Sequence, residues 1–137
     1  IKKTLGSQAI VLSLPAISSG TKLKQFDYLN DKIIDLNQNF KNAIKEKLIS
    51  EILLIDKNNE GSLKPTLDTS FLKLSKFELP LIYFGGASST SKIKKIIKDS
   101  RIAAIAIGNS LNYSEHRIQK IKDQIIKFRK PFYSENI

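Results

Sequence analysis

Two glycine-containing turns are the residues of this chain whose types and spacing best fit a chemical task. Gly85-Gly86 follows a short apolar run and precedes a segment of helical period, and Gly108-Asn109 lies at the same place after the next apolar run. A residue without a side chain lets an anion approach backbone N–H groups, and a following helix start adds partial positive charge. We therefore predict a phosphate-binding site formed by Gly85, Gly86, Gly108 and Asn109. The alternative, that these glycines only make tight turns, stays open from the residues alone.

Other residue types give weaker candidates. Asp56 ends an apolar run and could act as an acid or base, but a solvated strand-end carboxylate or a turn former is the commoner role. His116 is the single histidine and has no partner at metal-ligand spacing, so we expect it on the surface. Ser88 to Ser91 lie in no G-x-S-x-G elbow and are interpreted as loop and cap residues. With no Cys in the chain, thiolate chemistry is excluded, and we predict neither a metal site nor a cofactor.

Four short apolar runs predict the strands that position the glycines. Their apolar character is nearly continuous, as in parallel strands that are buried on both faces. The runs are 9–14, 51–56, 79–84 and 102–107.

Each run is followed by a segment in which apolar residues recur at spacings of three and four, which predicts a helix. We expect Asp68 and Ser114 to cap the second and fourth helices, and Pro131 to end the last one. The apolar stripes run from Leu29 to Leu48, Leu67 to Leu74, Ile93 to Ile97 and Ile118 to Phe128.

Alternation of this kind predicts an α/β fold of four consecutive βα units, with parallel strands in chain order, in one domain over residues 1–137. Four such units form either a small open sheet or half of a TIM-type (β/α)8 barrel. We interpret Pro15 to Tyr28, the longest connection, as a surface excursion. The first and last strands would then be bare sheet edges, so we expect further strands, a second copy or a partner chain to cover them.

The net charge of +10 is a real electrostatic feature, but it is a weak indication of function. Only 3 of the 23 basic residues are Arg, the residue that nucleic-acid readers favour, so a solvated basic surface is the preferred interpretation over nucleic-acid binding. No apolar run reaches the roughly 18 residues of a membrane span, and we expect a cytoplasmic protein without membrane partners.

Four segments, in order, resemble one enzyme family. Residues 6–11 (GSQAIV), 50–54 with 61–62 (SEILL and GS), 80–87 (PLIYFGGA) and 103–108 (AAIAIG) are similar to the second half of the cyclase subunit of imidazole glycerol phosphate synthase. The resemblance covers roughly residues 4–128 and implies strands five to eight of an eight-stranded βα barrel. It also implies a phosphorylated sugar-like ligand, a lyase and cyclase step of histidine biosynthesis, and a glutaminase subunit that supplies ammonia.

The resemblance fails at the positions that carry the family's chemistry. The acid–base aspartate of the fifth strand falls on Pro15, which has no titratable group. A threonine of the sixth strand falls on Ile55, a following aspartate falls near Asn58, and a serine of the seventh strand falls on Phe84. What carries over is the glycine site, so we predict a divergent or inactive paralogue without catalytic residues.

Three functions therefore remain open at the level of the sequence. The first is an enzyme subunit with the family's ammonia-dependent activity. The second is a non-catalytic subunit that binds a phosphorylated ligand, or acts as a scaffold, beside an amidotransferase of surface-sugar biosynthesis. The third, a basic nucleic-acid-binding module, rests on charge alone.

Overall fold

The computed structural model describes residues 4, 6–62, 69–108, 111–112 and 116–125. After a short 3-10 turn at Ser7–Ala9, the described residues form six strands and four helices. In chain order these are β1 (Val11–Ser19), β2 (Lys22–Asp27), β3 (Lys32–Ile34), α1 (Gln38–Lys45), β4 (Glu51–Asp56), α2 (Thr69–Leu74), β5 (Leu81–Phe84), α3 (Thr90–Ile96), β6 (Ile102–Ala106) and α4 (Arg117–Ile125).

One six-stranded sheet, in the order β3-β2-β1-β4-β5-β6, organises the fold. β1, β4, β5 and β6 are mutually parallel and adjacent in chain order, which confirms the predicted α/β class and strand order. Helices follow β4, β5 and β6, as right-handed βα connections require. β6 is an edge of the sheet, as expected from the sequence.

The interpretation of residues 15–28 as a surface excursion is wrong. β1 continues to Ser19 and β2 returns antiparallel to it, so that Ser19 pairs with Lys22 across a two-residue turn. Gly20 takes a positive φ of 58° in that turn, a conformation that glycine adopts without steric cost. The hairpin buries Leu23 and adds β2 and β3 beside β1. The expectation that the first strand is a bare sheet edge is therefore wrong for residues 16–19 of β1, which pair with β2, whereas residues 11–15 pair with β4 alone among the described strands.

The long helix predicted between Leu29 and Leu48 is wrong in its first half. α1 begins only after Asn37, whose side chain accepts a hydrogen bond from the Asn39 N–H at 2.7 Å. The preceding residues form β3, because strand pairing to β2 satisfies their backbone groups, and Leu29 lies 95% exposed in the connecting turn. Helical spacing alone could not separate these alternatives, since the apolar residues of a short edge strand matched the same period.

The predicted third helix is confirmed as α3, which Ser89 caps through its side-chain oxygen. α2 and α4 lie within the predicted second and fourth helices. Leu67, Asp68, Ser114, Phe128 and Pro131 lie outside the described residues. Within the described part of the chain, no helix combines the length and apolar character needed to cross a bilayer.

The core lies on one face of the parallel strands. Along β4 buried and half-buried residues alternate, and Ile52 and Leu54 are fully buried, as are Leu14 of β1 and Leu81 of β5. On the opposite face the residues of β4 and β5 are half-buried, and Val11 and Ser13 of β1 are exposed. The described residues therefore bury these strands on one face only, and burial of the other face stays a prediction. The continuous apolar runs supply a second apolar face that nothing covers among the described residues.

Arg101 ties the start of β6 to the end of α2. Its guanidinium donates to the carbonyl oxygens of Leu72, at 2.7 Å, and of Ser75, which satisfies carbonyls that the helix end leaves unpaired. The same guanidinium makes a two-pronged contact with the carboxylate of Asp99, at 2.6 and 3.0 Å. This hydrogen bonding from Arg101 is the main cause that lowers the pKa of Asp99 below its ordinary value.

A lowered pKa means that Asp99 stabilises the fold only while it is ionised. We expect Asp99→Asn to lower the free energy of unfolding by about 1 kcal/mol at neutral pH, since the pair is partly exposed. The difference from wild type should shrink as the pH falls through the pKa of Asp99 in the folded protein. Urea unfolding between pH 7 and pH 3 measures this. The control is Asp35→Asn, which removes an exposed carboxylate 3.7 Å from Lys24 and should leave the profile unchanged.

Candidate functional site

A cleft of about 340 Å³ lies where β4, β5 and β6 end. Gly85 and Gly86 line it from the turn after β5, and Gly108 lines it from the turn after β6. The structure thus brings three of the four predicted phosphate-binding residues to one place, while Asn109 lies outside the described residues. The other lining residues are Asn59, Glu60, Gly61, Ser62, Phe84, Ala87, Ser88, Ala106, Ile107 and Arg117.

Gly85 is required by a close backbone contact. Its φ is +116°, and a Cβ placed on it would lie 2.7 Å from the carbonyl oxygen of Asp56. The chain can therefore cross the end of β4 only with glycine at this position. Gly86, with a φ of +68°, also needs glycine conformation, and it is half-exposed at the cleft. The Gly85-Gly86 pair thus serves the turn itself and keeps side chains out of the cleft.

Asp56 is buried and hydrogen-bonded, so its interpretation as a solvated strand-end residue is wrong. Only 2% of it is exposed. Its Oδ2 accepts hydrogen bonds from Asn59 Nδ2 at 2.7 Å and from the Tyr83 hydroxyl at 3.0 Å. These two donors offset the cost of burying a carboxylate, which explains why a charged group can follow Leu54 on the core face. Burial first, and the Asp56 carboxylate second, raise the pKa of the Tyr83 hydroxyl well above its ordinary value.

The loop after β4 forms one wall of the cleft, and a small charged cluster fixes it against the hairpin. Glu60 accepts a hydrogen bond from the Tyr28 hydroxyl at 2.7 Å, and its carboxylate lies 3.6 Å from the ammonium of Lys57. The Lys57 ammonium also lies 5.2 Å from the ring centroids of Phe26 and Tyr28. Burial and then the hydrogen bond to Glu60 raise the pKa of Tyr28 to about 12. The negative charge of Glu60 is therefore engaged by partners outside the cleft.

The register of the parallel strands places Pro15, Ile55, Phe84 and Ala106 in one row. Pro15 pairs with Ile55, Ile55 with Phe84, and Phe84 with Ala106. Register partners in neighbouring strands share a face of the sheet, and this row lies on the half-buried face near the strand ends. The row contains no titratable or hydroxyl group. It therefore offers no acid or base to a ligand on that face.

Arg117 is the site residue that the sequence analysis did not single out. Its neighbour His116 lies exposed as predicted, with a positive φ of 53°. Arg117 begins α4 and lines the cleft, and its guanidinium donates to the carbonyl oxygen of Ser88 in the loop after β5. The only feature of the sequence that could have indicated a role for Arg117 is that Arg is rare among the basic residues of this chain.

Comparison with known proteins gives one distant relationship. No family model matches the chain. The chain is 25% identical over 123 residues to a Vibrio vulnificus (strain YJ016) protein named "Putative imidazole glycerol phosphate synthase subunit hisF2". The match covers 88% of this chain but only 45% of that protein, so the chain spans less than half the length of the relative. This supports a relationship to the cyclase-subunit family at most.

The contact between Gly85 and β4 predicts a large cost for any side chain there. Gly85→Ala should lower the free energy of unfolding by more than about 3 kcal/mol, because backbone strain and the clash with Asp56 add together. Gly61→Ala is the matched control, since Gly61 also has a positive φ, of 67°, but its added Cβ would meet nothing within 4 Å. It should cost only about 1–2 kcal/mol. Urea unfolding of both variants tests this, and equal losses would contradict the contact.

Proposed function

We propose that this chain is the second half of a cyclase-type (β/α)8 barrel that binds the phosphate group of a small sugar-like ligand and does not perform the family's cyclisation step. The observation that carries the proposal is the cleft at the ends of β4, β5 and β6, into which Gly85, Gly86 and Gly108 bring backbone rather than side chains. In βα barrels the loops after the last two strands commonly bind phosphate. The order of the four parallel strands and the distant relative support that assignment.

Phosphate is the ligand group that best fits the cleft. Backbone N–H groups at glycine turns can approach an oxyanion closely, and the net charge of +10 concentrates anions near the surface. Glu60, the carboxylate that lines the cleft, is held by Tyr28 and Lys57. A volume of about 340 Å³ lies at the small end of ligand sites, which run from about 300 to 1,000 Å³. It has room for a phosphate and a few attached atoms.

The proposal excludes the family's acid–base chemistry for a physical reason. The position that resembles the fifth-strand aspartate is Pro15, and its row neighbours Ile55 and Phe84 are apolar. Asp56, one strand over, is buried with both Asn59 and Tyr83 donating to it. Without a positioned acid or base, a step of this kind loses about 10²–10⁴-fold in rate.

The half-buried sheet face supports the half-barrel part of the proposal. Leu53, Ile55, Ile82 and Phe84 lie on this face and are only half-buried. In a closed barrel the same positions point into the interior and are covered by side chains of the other strands. We therefore propose that a complementary half-barrel covers this face. The family resemblance implies a glutaminase subunit as the partner, and the relative is itself named a synthase subunit.

Binding should depend on the phosphate group and on the glycine turn. We expect calorimetric titration to show that ribose 5-phosphate binds the protein, whereas ribose does not. Gly86→Glu should abolish this binding, because it fills the cleft and adds a negative charge. Gly20→Glu is the control, since it introduces the same charge at a similar positive φ, 58° against 68°, in the distant hairpin turn. Equal binding of ribose and its phosphate, or loss of binding in both variants alike, would refute the proposed site.

A further inference from the structure

Arg117 carries a buried polar atom that the free protein does not satisfy. The Nε of its guanidinium is buried and has no hydrogen-bond partner among the described residues. Burying an unpaired donor costs about 1–3 kcal/mol, and more when the donor belongs to a charged group. Such a group needs an explanation. Because protein atoms already cover Nε, an anion in the cleft would compensate the charge of the guanidinium through its Nη groups rather than through Nε.

We propose that Arg117 is a side-chain ligand of the bound phosphate, so that the cleft recognises its oxyanion through a guanidinium as well as through glycine backbone. This inference rests on the proposed function and assigns a role to a residue that lies outside the four segments on which the family resemblance is based. The ligand class it implies is a phosphate monoester.

The position of Arg117 fits this role. It lies at the first position of α4, beyond β6, and its Nη2 donates to the carbonyl of Ser88 in the loop after β5. That hydrogen bond joins the two loops that carry Gly86 and Gly108 and fixes the guanidinium at the cleft. A guanidinium held in place loses less freedom on binding, and its planar fork of donors matches phosphate oxygens.

The charges around the cleft also support Arg117 as a ligand of the phosphate. Of the two carboxylates near the cleft, Asp56 is occupied by Asn59 and Tyr83, and Glu60 by Tyr28 and Lys57. Among the described residues no carboxylate forms an ion pair with Arg117. Within the described part of the chain this partly buried cation has no counter-charge, and an anionic ligand in the cleft would supply one.

The wild-type protein allows a direct test, because it contains only three arginines. We expect ribose 5-phosphate to shift the Nε–H resonance of Arg117 in arginine-selective ¹⁵N NMR and to leave that of Arg101 in place. Assignment comes from the spectrum of Arg117→Gln. The same variant should lower the affinity for ribose 5-phosphate about 10- to 100-fold, the range for a charge-assisted hydrogen bond. Lys122→Gln, which removes an equal charge from the exposed side of α4, should change the affinity less than twofold.

The outcomes separate this inference from the proposed function. If the wild-type protein does not bind ribose 5-phosphate, the proposed function fails and the role of Arg117 fails with it. If binding persists and neither the Nε–H resonance nor the affinity of Arg117→Gln changes, the glycine site stands and the Arg117 inference is wrong. If Lys122→Gln weakens binding as much as Arg117→Gln, the effect is general charge attraction, which also overturns the inference. If Arg117→Gln is unstable, the spectra of Arg101→Lys and Arg129→Lys assign the Arg117 resonance by elimination, so the titration of the wild-type protein still decides the case.

Discussion

The parallel register of β4 between β1 and β5 is the constraint on which the rest of this structure depends. It sets Pro15, Ile55 and Phe84 side by side on one face, and it brings Gly85 across the end of β4 within contact of Asp56. A slip of one residue in β4 would exchange its two faces, exposing Leu54 and Asp56 and burying Ile55. The buried hydrogen bonds of Asp56 to Asn59 and Tyr83 hold the loop after β4 in one conformation, and so define a wall of the cleft.

In a fold of this kind, ligand binding and acid–base chemistry depend on different residues near the strand ends. Phosphate binding needs backbone at glycine turns and a positive surrounding, which Gly85, Gly86, Gly108 and Arg117 offer at the cleft. Proton transfer needs a titratable side chain within hydrogen-bond reach of the reacting atom. The row through Pro15 provides none. A chain can therefore keep the fold and a ligand site of a family while losing its reaction.

Sequence patterns predict the structural elements that depend on neighbouring residues. They miss the features that depend on contacts between distant segments of the chain. Apolar runs and turn residues predict the four parallel strands and their order, α3 with its Ser89 cap, and the convergence of three glycines. The β1–β2 hairpin was missed because Pro15 and Ser18 to Gly20 are residue types common in loops, whereas residues 16–19 in fact pair with β2. The burial of Asp56 depends on Tyr83, 27 residues away, and the role of Arg117 depends on a carbonyl 29 residues away. No local signal reports contacts of that separation.

Steady-state cyclase turnover tests most directly the proposal that a chain with the apolar row through Pro15 does not perform the cyclisation step. The assay uses this protein together with the proposed complementary half-barrel, the phosphoribulosyl formimino intermediate that the family's cyclase subunit converts, and saturating ammonium at alkaline pH, so that no glutaminase is needed. The account predicts no ammonia-dependent turnover above background. Turnover near the rate of an intact family member, measured beside it, would contradict the account, because another residue would then have to supply the acid or base that Pro15 lacks.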